Sequence, residues 1–481
     1  MLAAGGNAFD AAVAAGFASA VAEPALTSLG GGGFLLARTN DGRSVLFDFF
    51  VDTPGLGAHT DSLEPHFLPV TVKFPGSEQV FNVGRGSVAL PGTLAGLVHV
   101  HERMGALRLS QVVAPAIRLA REGVRLTEQQ AYFLDLLRPI MTLEESGRAL
   151  FEPSGRYLGA GDLYRNPDLA AFLTALPEHG PEALYAGEVA ERIVADMQSG
   201  GGLLTEDDLR SYRVIERDPL AADYRGYTVL TNPPPSFGGG LLLLALELLG
   251  SFDAAAQGPN SPEHATRMVA VMQETDRLRE AGVAGPAGLG TAERAAACER
   301  IRTATGGTTH VSVCDGDGNV ASMTTSNGEG SGYFAPGTGI MLNNMMGEDD
   351  LHPEGFHAAP AGKRVSSMMS PTVVTEDQRT VLVAGSGGSK RIRTALLQVL
   401  SAVLDFSMPL EEAVEAPRLH WDGACVQAEP GFSKRALAAL ERRWPVNRWK
   451  VRDVYFGGVH VASPTGEAAG DPRRGGHVRR I

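Results

Sequence analysis

Apolar residues recur on more than one face of the segment from Asn7 to Ala22, which predicts a helix buried all round. Asn7 can cap this helix, and Pro24 ends it. The next apolar stretches, GGGGFLLAR and RSVLFDFFVDTPG, predict two strands joined by the turn TNDG. Further helices are predicted over 91–105, over 109–123, in AYFLDLLRPIMTL and in LTEDDLRSY, where Thr205 is the cap.

The second half of the chain changes from helical periodicity to strands. YRGYTVLTNPPPSFGGGLLLLALELL predicts a strand, a proline corner, a glycine turn and a buried helix, and the poorly patterned residues 284–307 are the best linker candidate. The later elements are strands at 309–314 and 319–325, a hairpin at 371–385, a helix at 391–405 and a strand near 457–462. This order favours a layered α/β or α+β fold over a doubly wound sheet.

Composition excludes several classes of protein. The 481 residues are 43% hydrophobic with a formal net charge of −13, and no Lys/Arg block is long enough to bind nucleic acid. No run of 18 apolar residues predicts a membrane span, and the first helix carries Asp10 without a basic region before it. As it stands, the chain is therefore expected in the cytoplasm, without a signal peptide.

Neither a metal nor a cofactor is predicted. Cys298, Cys314 and Cys425 form no CxxC pair, which argues against a zinc site or a disulfide framework. CDGDGN begins like a calcium loop, but Val320 and Ser326 stand where Gly and Glu are needed, so a hairpin turn is expected. HPEGFH offers two histidines without a third ligand.

The most informative short motif is Gly307-Thr308-Thr309-His310. A threonine hydroxyl is a weak nucleophile that needs a base, and cleavage before Thr308 would free an α-amino group to serve as one. The preceding glycines would let the hydroxyl reach its own preceding carbonyl. The motif alone is equally consistent with a threonine-rich strand start.

Two later motifs could bind anions. GSGGSKRIRTALLQVL, residues 385–400, places a glycine turn before a helix, where adjacent backbone N–H groups suit an oxyanion. Its lysine does not create a P-loop, since the G-x-x-x-x-G-K-[ST] spacing is missing. Ser366 and Ser367 in SSMMSPT are short donors that could hold a carboxylate. A tight turn and a local serine turn are the structural alternatives.

Taken in order, these segments resemble the γ-glutamyltransferase (glutathione hydrolase) family of N-terminal-nucleophile proteins. The resemblance extends over nearly the whole chain, and its main segments are GGNAFDAAVAAGFASAVAEPALTSLGGGGFLL, PGTLAGLVHVHERMG, GGLLTEDDLRSY, TTHVSVCDGDGNVASMTTSN, GIMLNN, SSMMSPT, GSGGS and DPRRGGH. It implies an α+β fold, a four-layer αββα sandwich. It also implies a proenzyme that cuts itself between Gly307 and Thr308 into a heavy fragment, 1–307, and a light fragment, 308–481, which stay associated.

The resemblance also implies roles for single residues. Thr308 is the nucleophile, Thr325 orients it, and Gly387 and Gly388 form the oxyanion pair. Substrate-contacting positions are Asn327, Ser366 and Ser367. The implied reaction moves the γ-glutamyl group of glutathione-like compounds to Thr308, and then to water, an amino acid or a short peptide, without a cofactor. Family members are often secreted or periplasmic.

This sequence departs from the family pattern at the acyl-binding positions. Phe50, in FDFFVDTPG, stands where members carry an arginine that grips the α-carboxylate. In NNMMGEDDLHP, Glu348 is expected to hold the α-amino group, with Asp349 and Asp350 competing for that role. Candidates for a replacement charge are Lys363, Arg364, Lys390 and Arg391.

Other departures affect the ends of motifs. The strand after Asn319 is one residue shorter than the usual signature, and the chain begins inside the family's first helix region. Three functions therefore stay open: a γ-glutamyl hydrolase or transferase, an amidase of the same fold for acyl groups such as glutaryl or aromatic ones, and an unprocessed member that only binds ligands.

Overall fold

The computed structural model describes residues 1–58, 66–74, 77–253, 257–280, 308–352 and 355–481. The linker predicted at 284–307, with Gly307 and Cys298 in it, lies outside these residues. The described helices are α1 (Ala8–Ala22), α2 (Thr93–Met104), α3 (Leu109–Glu122), α4 (Glu128–Leu136), α5 (Arg138–Met141), α6 (Glu145–Phe151), α7 (Pro167–His179), α8 (Glu182–Tyr185), α9 (Gly187–Ser199), α10 (Glu206–Ser211), α11 (Phe237–Gly250), α12 (Pro262–Glu280), α13 (Arg391–Phe406), α14 (Leu410–Glu415) and α15 (Lys434–Glu441).

Strands are distributed over the whole described chain. They are β1 (Gly32–Arg38), β2 (Ser44–Phe49), β3 (Leu68–Phe74), β4 (Ser77–Val83), β5 (Val124–Arg125), β6 (Leu163–Tyr164), β7 (Ile215–Arg217), β8 (Leu220–Tyr224), β9 (Tyr227–Thr231), β10 (Thr309–Cys314), β11 (Val320–Ser326), β12 (Phe334–Ala335), β13 (Ile340–Met341), β14 (Thr372–Glu376), β15 (Arg379–Gly387), β16 (Leu419–Trp421), β17 (Val426–Ala428), β18 (Val446–Arg448), β19 (Gly458–Ala462) and β20 (Ala468–Ala469).

Two antiparallel sheets position the site. Sheet I has the order β10-β11-β1-β2-β7, and sheet II has the order β20-β19-β15-β14-β9-β8. Each sheet combines strands from before residue 307 with strands from after residue 308. The two parts of the chain are therefore built into the same hydrogen-bonded ladders.

The two sheets face each other, with helices packed against them. β10 and β11 of sheet I contact β15 of sheet II, and β10 also contacts β19. Helices α1 and α2 pack against sheet I, while α11 and α13 pack against sheet II. α11 is apolar on all sides, and its leucines from Leu241 to Leu244 are buried. This mixed helix and sheet content agrees with the expected α+β class.

Local signals explain where the key helices begin and end. Asn7 Oδ1 accepts hydrogen bonds from the Phe9 and Asp10 amides at 3.0 and 2.9 Å, as its position before the apolar run predicted. Thr205 caps α10 in the same way, at 3.1 Å from the Asp208 amide. The single helix predicted in AYFLDLLRPIMTL is wrong, because Leu137 separates α4 from α5. Pro139 lacks the N–H that would bond to the Asp135 carbonyl, and its ring clashes with that carbonyl in a continuous helix, which accounts for the break.

Candidate active site

Thr308 lies immediately before β10 and is only 3% exposed. Its carbonyl oxygen accepts a hydrogen bond from Nη1 of Arg474 at 3.1 Å. The same oxygen packs so closely on Gly387 that a Cβ there would overlap it. Gly387 is therefore required sterically, and the glycine turn lies directly against the predicted nucleophile.

Thr325 lies in the middle of sheet I, beside the strand that begins after Thr308. In the register of the sheet it stands opposite Thr309 on β10 and opposite Gly33 on β1. Its hydroxyl accepts a hydrogen bond from the hydroxyl of Thr27 at 3.1 Å. Thr27 was not singled out from the sequence, although it belongs to the matching segment EPALTSLGGGG.

His310 packs between the sheets and is not positioned by a carboxylate. Its Nδ1 lies 2.7 Å from Thr324 Oγ1, its Nε2 lies 3.0 Å from Ser312 Oγ, and its ring fills the space above Gly385. Burial lowers its pKa well below the usual value, and the charge of His460 lowers it further. The histidine of the motif is thus a neutral packing residue.

The predicted glycine turn follows β15 and leads into α13. Gly388 has φ of 124° and Ser389 has φ of 48°, so the chain passes through left-handed conformations at both residues. The carbonyls of Gly388 and Ser389 accept the first amide hydrogen bonds of α13, both at 2.9 Å. The strand, turn and helix N-terminus that suit an oxyanion are therefore all present.

A cleft of about 260 Å³ opens beside Thr308. It unites segments that are far apart in the sequence, among them the end of β2, the end of β11 and the turn before α13. Its lining residues are Phe50, Thr308, Ser326, Met345, Glu348, Leu351, Ser367, Met368, Met369, Ser389 and Ile392. Three of the sequence-predicted residues, Thr308, Glu348 and Ser367, thus share one cleft with Phe50.

Among the three acidic candidates at 348–350, burial distinguishes Glu348 from Asp349. Glu348 is 8% exposed and lines the cleft, whereas Asp349 is exposed. The structure does not describe the side chain of Asp350. The position of Glu348 favours it as the acid that faces a bound acyl group.

The two serines differ in their surroundings. The Ser367 carbonyl accepts hydrogen bonds from the amides of Phe237 and Gly238, at 2.9 and 3.0 Å, and its hydroxyl accepts one from the Met369 amide at 3.2 Å. The half-buried Ser366 donates its hydroxyl to the Leu351 carbonyl at 2.9 Å and does not line the cleft. Ser367 is thus the better-placed contact.

Asn327 follows β11 directly and is 1% exposed, but it does not line the cleft. Its Nδ2 donates to the Leu342 carbonyl at 3.4 Å. Among the described residues its Oδ1 has no hydrogen-bond partner. A buried amide oxygen next to Ser326, which does line the cleft, could accept a hydrogen bond from a substrate.

Phe50 is the main departure inside the cleft. It is 1% exposed, and its ring stacks on Phe34 with 5.4 Å between the ring centroids. Its carbonyl accepts hydrogen bonds from Tyr212, at 2.7 Å, and from Nη1 of Arg364. The position of the expected arginine is therefore filled by a packed apolar ring.

Arg364 bonds to the Phe50 carbonyl and lies close to two carboxylates. Its Nε lies 3.1 Å from Asp52 Oδ1 and 3.6 Å from Asp48 Oδ1. Burial raises the pKa of Asp52 to about 6, although the Arg364 charge acts to lower it. Like Lys363, Lys390 and Arg391, Arg364 does not line the cleft. The lining of the cleft therefore contains none of the four candidate replacement charges.

Comparison with known proteins places this arrangement in a family. The sequence model described as Gamma-glutamyltranspeptidase matches residues 1–292 and 289–481. The glutathione hydrolase proenzyme of Escherichia coli (strain K12) is 33% identical, with 91% of this chain and 81% of that protein covered. The protein belongs to the gamma-glutamyltranspeptidase family.

Relatives in this gamma-glutamyltranspeptidase family carry two kinds of name. The acylase ACY 1 proenzyme of Pseudomonas sp. (strain V22) is 34% identical over 92% of this chain and 83% of its own. The cephalosporin acylase from Bacillus halodurans superposes with a TM-score of 0.84 at 28% identity, covering 99% and 92% of the two chains. The family is thus certain, while its members' names include both hydrolases of glutathione and acylases.

Two residues near Thr308, the predicted nucleophile of this gamma-glutamyltranspeptidase-family protein, were missed by sequence reasoning. Glu23, at the end of α1, accepts a hydrogen bond from the Thr309 hydroxyl at 2.7 Å, and Arg474 holds the Thr308 carbonyl. Both belong to quoted segments, AEPALTS and DPRRGGH, but neither carries a local signal of its own. Only the folded chain brings them to residues 308 and 309.

The described residues include no group of three or more His, Cys, Asp or Glu side chains that could hold a metal ion. Within the same residues, every helix is too short or too polar to cross a bilayer.

Proposed function

We propose that this protein is an N-terminal-threonine amidohydrolase that cuts itself before Thr308 and then moves an acyl group through the Thr308 hydroxyl. The observation that carries the proposal is the joint position of Thr308, the glycine turn 387–388 and the cleft that opens beside Thr308. The facing sheets and the helices packed against them support a four-layer αββα arrangement. Residues 1–307 would form the heavy fragment and residues 308–481 the light one.

Self-cleavage follows from the chemistry of the threonine. Thr308 Oγ attacks the carbonyl carbon of Gly307, and its proton passes to the departing amide nitrogen, which leaves an ester. Water hydrolyses this ester, restores the hydroxyl and leaves a carboxylate on Gly307. The new α-amino group of Thr308 is then available as the base.

Turnover repeats the same exchange on a substrate amide. The α-amine takes the hydroxyl proton while Oγ attacks the acyl carbon, and the backbone N–H groups of Gly387 and Gly388 stabilise the oxyanion. The C–N bond breaks, the leaving amine takes the proton, and an acyl ester on Thr308 remains. Thr325 orients the hydroxyl. Water completes a hydrolysis, whereas an amine acceptor completes a transfer.

For the acyl group, the cleft favours chains without an α-carboxylate. Phe50 and the apolar neighbours Met345, Met368 and Ile392 form one wall, and Arg364 is engaged behind it. An unpaired carboxylate placed against this wall would lose its hydration without a compensating cation. We therefore place an amidase for aromatic acyl groups first, because a glutaryl group carries the same terminal carboxylate as a γ-glutamyl group.

A γ-glutamyl hydrolase or transferase acting on glutathione-like compounds is the second candidate. Glu348 offers a buried carboxylate for an α-amino group, and Ser367 offers a hydroxyl on the same side of the cleft. The identity to the Escherichia coli glutathione hydrolase proenzyme supports this candidate as well.

Intact mass under denaturing conditions tests the self-cleavage. The wild-type chain should give two fragments that meet at Gly307/Thr308, Thr308→Ala should stay whole, and Thr308→Ser should still be cut. Cleavage of the alanine variant at the same bond would contradict the proposed nucleophile. An uncut wild-type chain that binds ligands without turnover would identify a ligand-binding member.

Matched anilides then test the acyl group. γ-Glutamyl p-nitroanilide carries an α-amino group and an α-carboxylate, and butyryl p-nitroanilide has the same acyl chain without either group. We expect kcat/KM for the butyryl compound to equal or exceed that for the glutamyl compound. A strong preference for the glutamyl compound would instead establish the second candidate.

A further inference from the structure

Arg474 lies between the main chain of Thr308 and the glycine turn. Its Nη1 donates to the Thr308 carbonyl at 3.1 Å. A Cβ built on Gly387 would lie 3.3 Å from Nη1, and one on Gly388 would lie 3.5 Å from Nη2. The guanidinium therefore bonds to the Thr308 main chain and lies beside the glycine turn.

This contact brings a positive charge close to the α-nitrogen of Thr308. The nitrogen and carbonyl oxygen of one residue are separated by only three bonds, so the guanidinium lies within about 7 Å of the Thr308 nitrogen. A neighbouring cation disfavours an ammonium group more than a neutral amine. The amine freed by cleavage would thus lose its proton more easily.

Arg474 keeps its charge in this position. Burial, with the nearby Arg391, lowers its pKa to about 10, which still leaves it protonated at neutral pH. The charges of Glu23, Asp471 and Asp453 act against that lowering, and the Phe133 ring lies 5.6 Å from the guanidinium carbon.

We propose that Arg474 is a positioning residue that fixes the Thr308 main chain and lowers the pKa of its α-amine, so that this amine is a base at neutral pH. The proposal rests on the proposed function. An α-amine has an unperturbed pKa of about 7.7–8.0, so at neutral pH most of it would otherwise be protonated. A shift of about one unit is the size expected for a partly screened charge at this distance.

Other ionisable groups lie on the elements around residue 308. They are Glu23 at the end of α1, His310 on β10, Glu348 beside the cleft, Lys390 and Arg391 at the start of α13, Asp453 and His460 near β19, and Asp471 and Arg473 near the chain end. Burial keeps both His310 and His460 neutral by lowering their pKa values. Glu23 reaches the site through Thr309, whereas Arg474 bonds to residue 308 itself.

The test measures the pKa of the Thr308 α-amine in the cleaved enzyme by two methods. The first is the pH profile of kcat/KM. The second is the pH dependence of the rate at which cyanate carbamylates the light-fragment N-terminus, followed by mass spectrometry. Arg474→Gln should move the acidic limb and the amine pKa upward by about one unit. Arg474→Lys should keep both near the wild-type values. The exposed Arg479→Gln is the matched loss of one charge and should change neither.

Unchanged values in a cleaved Arg474→Gln enzyme would overturn the proposal, because a purely structural role would not move the base. If the Arg474→Gln variant is not cleaved, the pKa of the Thr308 α-amine in the wild-type enzyme is used instead. A pKa clearly below about 7.7 upholds the proposal, and a pKa of about 8 overturns it. Failure of the wild type to split before Thr308 would refute the proposed function itself. These two failures are thus distinct.

Discussion

At the scale of the residue, Phe50 is the position where one side chain changes the chemistry of the cleft. We predict that Phe50→Arg raises the ratio of glutamyl to butyryl anilide kcat/KM by about tenfold, because a guanidinium can bind an α-carboxylate with two hydrogen bonds. The variant should be less stable, since it loses the stacking on Phe34 and adds a cation near Arg364. Steady-state kinetics with both anilides checks the ratio.

Phe50→Leu is the control for Phe50→Arg. It removes the ring without adding a charge, so it should lower stability while leaving the substrate ratio close to that of the wild type. An unchanged ratio in Phe50→Arg would mean that the cleft binds acyl groups in another way.

Site residues that belong to a sequence motif could be predicted from the sequence. Those that are defined only by tertiary contacts could not. Thr308, Glu348, Ser367 and Phe50 came from ordered motifs, and they share one cleft. Arg474 carries no local signal, because its role depends on a contact 166 residues away in the sequence. The ion pairs of Arg364 could not be predicted from the sequence either, because its partners Asp48 and Asp52 lie on another segment.

At the scale of the element, the N-terminus of α11 positions the segment Ser367–Met368. We predict that Gly238→Ala lowers kcat/KM at least tenfold, because the added Cβ would overlap the Met368 carbonyl and displace this segment. The amide of residue 238 also donates to Ser367, so the displacement reaches the cleft directly. Anilide kinetics on the cleaved enzyme measures the effect.

Gly250→Ala, at the other end of α11, is the matched control. A Cβ there would lie 3.4 Å from the Tyr224 ring, an ordinary contact, and alanine favours a helix by up to about 1 kcal/mol. Activity should stay at the wild-type level. If both variants lose activity equally, α11 acts through general stability and not through Ser367.

Elements were predictable where one local signal dominated. The strand predicted at 309–314 is observed as β10, and the helix predicted at 391–405 is observed as α13, one residue longer. The order of strands within each sheet could not be derived, because pairings such as β1 with β11 join segments nearly 300 residues apart. These long-range pairings build the site.

At the scale of the whole molecule, buried neutral histidines couple stability to pH. His420 is 1% exposed, and burial lowers its pKa well below the usual value, with nearby arginines adding to the effect. Such a group stabilises the fold above the unfolded-state pKa of about 6.5, and this stability is lost as the pH falls. Below that pH His420 becomes protonated in the unfolded chain but stays neutral in the folded chain.

We therefore predict that His420→Asn becomes relatively less harmful in acid. The difference in unfolding free energy between the parent and this variant should shrink by about 2 kcal/mol from pH 7.5 to pH 5. Urea unfolding in the uncut Thr308→Ala background measures the difference on a single chain. The exposed His179→Asn should show no such change, and a constant difference for His420→Asn would refute the prediction.

The position of the proposed cut within the sheets decides whether the fragments would stay together. β10 is the edge strand of sheet I, so cleavage before Thr308 would break a peptide bond at the margin of the ladder. The pairing of β1 with β11 and of β9 with β14 still joins residues before the cut to residues after it. Separation would expose both ladders and the apolar surface between them.

We predict that the cleaved fragments co-elute in native size exclusion at the volume of uncut Thr308→Ala, and separate only on a denaturing gel. Two native peaks would show that the shared sheets do not hold the fragments together. Co-elution has a mechanistic consequence. The proposed oxyanion turn and nucleophile lie after the cut, while Phe50 and the helix that clamps Ser367 lie before it. The proposed active site would therefore exist only in the associated pair, and the strand pairing that joins the two fragments would preserve it.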